Sequence, residues 1–309
     1  MTDELTRVVD RATARAAGLS DSAIGHRIAR HRWVQLHRGV YFTRGAEPCE
    51  PDQLAGALLA AGPGAALSGA AALGQWRVRD IVSAGPPLIL VPMSNGTRAT
   101  ATLRVRRTDV PYRAMTVNDL QVVSIARAVA DYCVGVRVRT TVQAVTSGVV
   151  RRRLCTADQL AEALNAGPRR GSAHLRIAVQ DVQFGAWSVP EGHLGRAMRV
   201  ARLPAFEQNV PLLDSHGSLL GIVDVWWKDL RAAVEVLGAA DHSSAAAWAE
   251  TVRRAARIEA HEIAVMQVPA VDVLRRIDEV VEGIRRWLAA LPTRRPNARR
   301  PDARRPDAR

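Results

Sequence analysis

Lysine is almost missing from this chain. Lys228 is the single lysine among 43 basic residues, and the rest are arginine. Together with abundant alanine, that bias reads as the habit of a GC-rich genome. Base composition does not by itself create a net charge, however, and the chain carries +13. Cysteine is scarce as well. Cys49, Cys133 and Cys155 lie far apart with no Cys-x-x-Cys pair, which argues against a zinc ribbon or a disulfide framework and for a reducing compartment. No stretch approaches ~20 uninterrupted apolar residues, so no transmembrane helix and no membrane partner are expected. The segment from Met1 to Arg15 is studded with charge and lacks the apolar core of a signal peptide, and a cytoplasmic protein is expected. Walker, G-x-G-x-x-G, G-x-S-x-G and H-E-x-x-H motifs are absent, which removes support for nucleotide-dependent, serine-hydrolase and zincin chemistry.

What is present is an ordinary globular composition, with 48% hydrophobic and 24% charged residues over 309 positions. That suffices for two or three domains with their own cores. Residues 292–309 repeat Arg-Arg-Pro-Asx-Ala, and proline at every fifth position forbids a helix there. This tail, expected to be disordered, holds seven Arg and two Asp, so the body is basic without it. A basic body suits a polyanion such as DNA.

The N-terminus reads as a helix over 4–17 with Leu5, Val8, Val9 and Ala12 on one face, ended by Gly18. Ser20 then caps a second helix through Arg30, with Ile24 and Ile28 facing inward. Val34, Leu36, Val40 and Phe42 alternate through a hairpin that turns at Arg38-Gly39. Helix, turn, helix, hairpin is the order of a winged helix-turn-helix, assigned to 1–48. In such a unit Arg27, Arg30, Arg32, His37 and Arg38 would meet phosphate and Gln35 would lie near base edges. The alternative is a solvated amphipathic helix packed on its own protein.

A central α/β region rich in helix is expected over 49–170. It has two helices broken at Gly62-Pro63-Gly64, strands at 88–91 and 103–107, and helices at about 124–135, 139–150 and 156–166. Gly167 to Gly171 reads as the linker, and a further helix at 172–183 leads into the last unit. Over 171–291 a helix capped by Ser188 is followed by strands at about 206–213, 219–227 and 231–237, a helix at 245–260, a strand at 263–268 and a closing helix at 270–290. This αβββαβ order is the core of a restriction-endonuclease-like, PD-(D/E)XK-type fold, and the chain as a whole is expected to be α+β.

Asp224 and Glu235 are lone acids in otherwise apolar strands, where an unpaired charge is costly. Two such acids on successive strands could converge on one Mg2+, which takes hard oxygen ligands. They are the candidate metal ligands, and with Glu191 the candidate catalytic residues. Leu237 stands where a Lys or another polar residue would complete the motif, two residues past Glu235 on the same side of the strand. Lys228, Asp241 or His242 could substitute. A structural alternative pairs Asp224 and Glu235 with Arg231 or Arg253, and Glu191 could simply close a capping box with Ser188. Trp226, Trp227 and Trp248 suit packing better than base stacking.

The stretch Ala17-Gly18-Leu19-Ser20, followed by Arg32-Trp33-Val34-Gln35-Leu36-His37-Arg38-Gly39-Val40-Tyr41, resembles the N-terminal domain of AbiEi-type antitoxins of type IV toxin–antitoxin systems. That likeness implies a winged helix that represses its own promoter, and a cognate toxin as a possible partner. Ser188 to Glu191, Arg202-Leu203-Pro204, Gly221 to Trp227, Val234-Glu235-Val236, His242 and Trp248 to Arg254 resemble an actinobacterial family related to the very-short-patch-repair endonuclease. Glu191, Asp224 and Glu235 match its acidic positions, whereas Leu237 departs from the polar residue usual there. Two functions follow as expectations. One is a DNA-binding regulator of antitoxin type with a degenerate nuclease domain, and the other is a Mg2+-dependent DNA endonuclease. An interaction protein that never touches nucleic acid is a third.

Overall fold

Val8 and Val9 do not continue a helix. In the computed structural model, which describes residues 6–79, 81–83, 85–238 and 245–292, they form strand β1 (Val8–Asp10), and the helix α1 (Arg11–Ala16) begins only after it. Two β-branched residues favour the strand. Asp10 then caps α1 by accepting the Thr13 N–H at 2.7 Å. The long helix expected from position 4 is thereby corrected to a strand and a short helix, and Leu5 lies outside the described residues. α2 (Asp21–Ala29) is capped by Ser20 as expected, with the Ala23 N–H donating to Oγ at 3.2 Å. β2 (Val34–His37) and β3 (Val40–Phe42) form the hairpin, whose Gly39 takes a φ of +75°. The sheet runs β1-β3-β2, and Val9, Ala14, Ile24, Trp33 and Tyr41 pack beneath it.

The chain continues through α3 (Glu50–Ala61), β4 (Ala66–Ser68), α4 (Gly69–Gln75), β5 (Leu88–Pro92), β6 (Arg104–Thr108), β7 (Met115–Val117) and β8 (Leu120–Val122). Helices α5 (Ile125–Cys133), α6 (Arg139–Arg151), α7 (Ala157–Asn165) and α8 (Ala173–Gln183) follow. The region expected to be rich in helix thus also holds a five-stranded sheet, ordered β6-β5-β4-β8-β7. β4, β7 and β8 went unexpected because three residues are too few to display alternation. Asn118 and Asp119, both at positive φ, turn the β7–β8 hairpin. Leu67, Leu90, Val122 and Val129 are each fully buried against this sheet. Each such side chain stabilises the fold by roughly 1.5–3 kcal/mol.

Two compact units divide between Gln183 and Phe184, one helix beyond the linker expected at 167–171. α8 belongs to the first unit because Leu175, Ala178 and Val179 join its core.

The second unit begins with α9 (Val189–Val200), capped by Ser188, and continues through β9 (Glu207–Leu213), β10 (Leu219–Trp227), β11 (Ala232–Leu237), α10 (Ala245–Glu259) and β12 (Ala264–Pro269). α11 (Ala270–Arg275) and α12 (Ile277–Ala290) replace the one closing helix expected, with a break at Arg276. Its sheet is ordered β12-β11-β10-β9, antiparallel except for the parallel pair β11/β12. A parallel neighbour demands a crossover, and α10 lies between the two strands in the chain. Leu194 and Met198 of α9 and Ile284 and Leu288 of α12 pack with Val225, Trp227 and Val234. Ile258 of α10 packs with Val223, Trp226 and Ala233 in a separate cluster. Trp226 and Trp227 are therefore core residues. The fold is mixed α+β, and no helix among the described residues is long and apolar enough to cross a membrane.

Candidate functional site

β10 and β11 pair in register at Val225 and Val234, so the next positions along the two strands bring Asp224 opposite Glu235. The backbone ladder ends there. Oδ2 of Asp224 instead accepts the Val236 N–H at 2.6 Å. Burial pushes the Asp224 carboxyl up to about 7, and repulsion from Glu191 and Glu235 adds to it. The Val236 hydrogen bond and the Arg254 charge act in the other direction. Three acids therefore share one electrostatic field.

Glu235 is 1% exposed. Its Oε2 accepts from a terminal nitrogen of Arg254 at 3.1 Å, while Oε1 is buried without a hydrogen-bond partner. Gln267 lies beside Glu235 in the parallel register of β12, and its Nε2 is likewise buried without a partner. Gly221 makes room for this arrangement, because a Cβ there would meet Arg254 Cγ at 3.2 Å. The arginine that answers Glu235 is thus neither Arg231 nor Arg253. Arg231 donates to the carbonyls of His261 and Glu262, and Arg253 pairs with Glu250. Arg254 is four residues before the buried Ile258, a helical spacing that places it on the inward side of α10, and this was the available signal.

Glu191 makes half of the capping box. Its N–H donates to Ser188 Oγ at 3.3 Å, but its carboxylate Oε2 accepts from the Trp187 N–H at 2.8 Å and from Asn209 Nδ2 at 2.7 Å. Asn209 holds a φ of +53° and also donates to the Gly185 carbonyl, tying the start of α9 to β9.

Leu237 is buried and pairs with Pro269, so no polar group stands at that position. Lys228 is exposed. Asp241 and His242 lie outside the described residues, as does the tail from 293 onward. Among the described residues no group of three or more His, Cys, Asp or Glu side chains could hold a metal ion. One oxygen of Asp224 is committed to a backbone N–H, one oxygen of Glu235 to a guanidinium, and one oxygen of Glu191 to both Trp187 and Asn209. With that guanidinium in place, this donor set does not fit Mg2+, which demands near-octahedral oxygen.

The basic side chains expected at DNA fall into two groups. Arg27 is half-buried, donates to the Ala23 carbonyl at 3.2 Å and lies over the Trp33 ring. His37 is half-buried with Nδ1 at 3.3 Å from Thr102 Oγ1, and burial lowers its pKa. Arg30, Arg32 and Arg38 are exposed, with Gln35 exposed beside them on β2. Among the described residues no ion pair engages these three arginines. They ring the end of α2 and the tip of the hairpin.

No family model and no curated protein matches the chain. Among solved structures it is similar to the Rv2827c protein from Mycobacterium tuberculosis. The identity is 15% and the TM-score 0.40, over 58% of this chain and 70% of that one.

Proposed function

We propose that this chain is a DNA-binding regulator of the antitoxin type, gripping DNA through a winged-helix segment and carrying a nuclease-fold domain that no longer cuts. The observation that carries this reading is the set of exposed, unpaired cations Arg30, Arg32 and Arg38 around the end of α2 and the β2–β3 tip, next to Gln35. Phosphate contacts of this kind supply affinity and register, and Gln35 is the side chain within the set suited to a base edge. The order of α1, α2 and the three-stranded sheet supports a winged helix. The αβββαβ order with a parallel last strand supports a restriction-endonuclease-like scaffold. Leu237 and the Arg254 guanidinium on Glu235 support loss of cleavage.

The test is a gel shift with the DNA upstream of the chain's own gene. Absence of binding to any DNA at low salt removes the proposal. A cognate toxin would be sought by co-purification with the product of the adjacent gene. The cytoplasm is the proposed setting, in keeping with three free thiols.

A Mg2+-dependent endonuclease is the second reading, and it requires Arg254 to release Glu235. It is favoured by the shared field of Asp224, Glu191 and Glu235 and by the unpartnered Oε1 of Glu235. Incubation with varied DNA and Mg2+ or Mn2+ decides it. Nicking lost in Asp224→Asn supports the enzyme, and no nicking, or equal nicking by the variant, dismisses it.

A further inference from the structure

The first unit contains a cavity of about 620 Å³ that the DNA-binding reading does not use. It lies where the N-terminal turn of α5, the β6–β7 connection and α7 come together. Two aromatic side chains line it, Trp76 and Tyr112. Both have their polar tips committed to the backbone. Trp76 Nε1 donates to the Val123 carbonyl at 3.0 Å, and the Tyr112 hydroxyl sits between the carbonyls of Gly64 and Leu90. Tethered in this way, they offer the cavity ring surface rather than hydrogen bonds.

The charge lining this cavity comes from an uneven network. Asp131, buried, accepts from Ser68 Oγ at 2.6 Å, from Arg106 at 2.6 Å and from Arg127 Nε at 3.0 Å. One carboxylate thus faces two guanidiniums, leaving one positive charge in excess. Arg127 lines the cavity with a side chain only 10% exposed. Its Nε is bound to Asp131, and its two terminal nitrogens have no partner among the described residues. The Arg127 charge is felt at the Tyr112 hydroxyl, where it opposes the rise in pKa that burial causes. Arg113 and Glu162, both exposed, add one charge of each sign to the lining.

We infer that this cavity binds a small planar organic anion, with an aromatic or heteroaromatic ring against Trp76 and Tyr112 and a carboxylate or phosphate at the free nitrogens of Arg127. A guanidinium withdrawn from bulk water binds an anion more strongly than an exposed one does. The volume lies within the range usual for sites that enclose a small ligand. An anion there also balances the charge that Asp131 leaves uncompensated. The inference is independent of DNA binding and concerns the full chain without DNA.

Isothermal titration calorimetry on the full chain tests it with two anionic probes, AMP and salicylate, each against its neutral counterpart, adenosine and salicylamide. At least one anion is expected to bind one per chain, at least about tenfold more tightly than its neutral counterpart. Binding by AMP alone marks a nucleotide phosphate as the source, and binding by salicylate alone an aromatic carboxylate. Arg127→Met is expected to abolish the preference for the anion. Because that change also disturbs buried Asp131, Ala163→Leu provides the second variant. It fills the cavity from α7 without touching the charge network and is expected to weaken binding at least about tenfold at unchanged circular dichroism. If neither anion outbinds its neutral counterpart, or if Ala163→Leu binds the anion as tightly as the parent, the inference fails.

Discussion

Arg254 reaches from α10 to Glu235 in the middle of the second sheet, with its Nη2 3.1 Å from a carboxylate that is almost wholly buried. A cation carried by the protein itself thus answers the buried acid of β11. Breaking such a pair from one side leaves a buried charge unanswered. Arg254→Met should destabilise the chain by about 3 kcal/mol, the lower end of the usual range because a third of the arginine remains exposed. Glu235→Leu added to Arg254→Met should recover most of the loss. Urea unfolding followed by tryptophan fluorescence measures both. An unchanged midpoint in the single variant would mean the pair contributes nothing.

The Asp224 carboxyl gives a pH signature. Its pKa rises from an ordinary 3.8 to about 7 on folding. Between those values the folded chain holds a proton that the unfolded chain has released. Stability therefore falls as pH rises from about 4 to about 7 and levels off above that. The size of the fall is on the order of 2–4 kcal/mol. Asp224→Asn can still accept the Val236 N–H and should lose this slope, becoming more stable than the parent at pH 8. Parallel stability curves for parent and variant between pH 4 and 7 would refute the assignment.

DNA binding should depend on Arg30, Arg32 and Arg38 in a graded way. Each replaced by Ala should weaken binding to all sequences alike and reduce the slope of log affinity against log salt by roughly 0.9 per lost phosphate contact. Gln35→Ala should instead relax sequence preference with little change in that slope. Binding isotherms at four salt concentrations separate the two behaviours. An unaltered slope in the triple arginine variant would place the DNA elsewhere.

The three thiols should divide by reactivity. Burial pushes Cys133 up to about 12 and Cys155 up to about 11, which keeps both protonated at pH 8. Cys49 is exposed and donates to Asp52 Oδ2 at 2.9 Å. Under native conditions a chromogenic disulfide reagent should titrate one thiol quickly, and Cys49→Ser should remove that phase. Three thiols reacting at one rate would contradict the burial of Cys133 and Cys155.

Local signals foretold much of the chain. Ser20 and Ser188 announced helix starts because a capping hydroxyl acts within three residues. Arg38-Gly39 announced the hairpin, and Asp224 and Glu235 stood out as lone acids in apolar strands. The short strands escaped for a physical reason. Ala66-Leu67-Ser68 is a strand because β5 and β8 flank it, and Val8-Val9-Asp10 because β3 does. Nothing within three residues reports such neighbours.

The amino-acid order alone thus determined most of the elements of the second unit, the acids that interrupt its strands and the leucine two residues past Glu235. These are properties of neighbours along the chain. Tertiary packing decided which arginine answers Glu235, where the carboxylate of Glu191 turns, and that Asp131 would be shared between two guanidiniums from different elements. Burial and charge pairing act between residues far apart in the chain, so their outcome exists only once the sheet and helices have closed on one another.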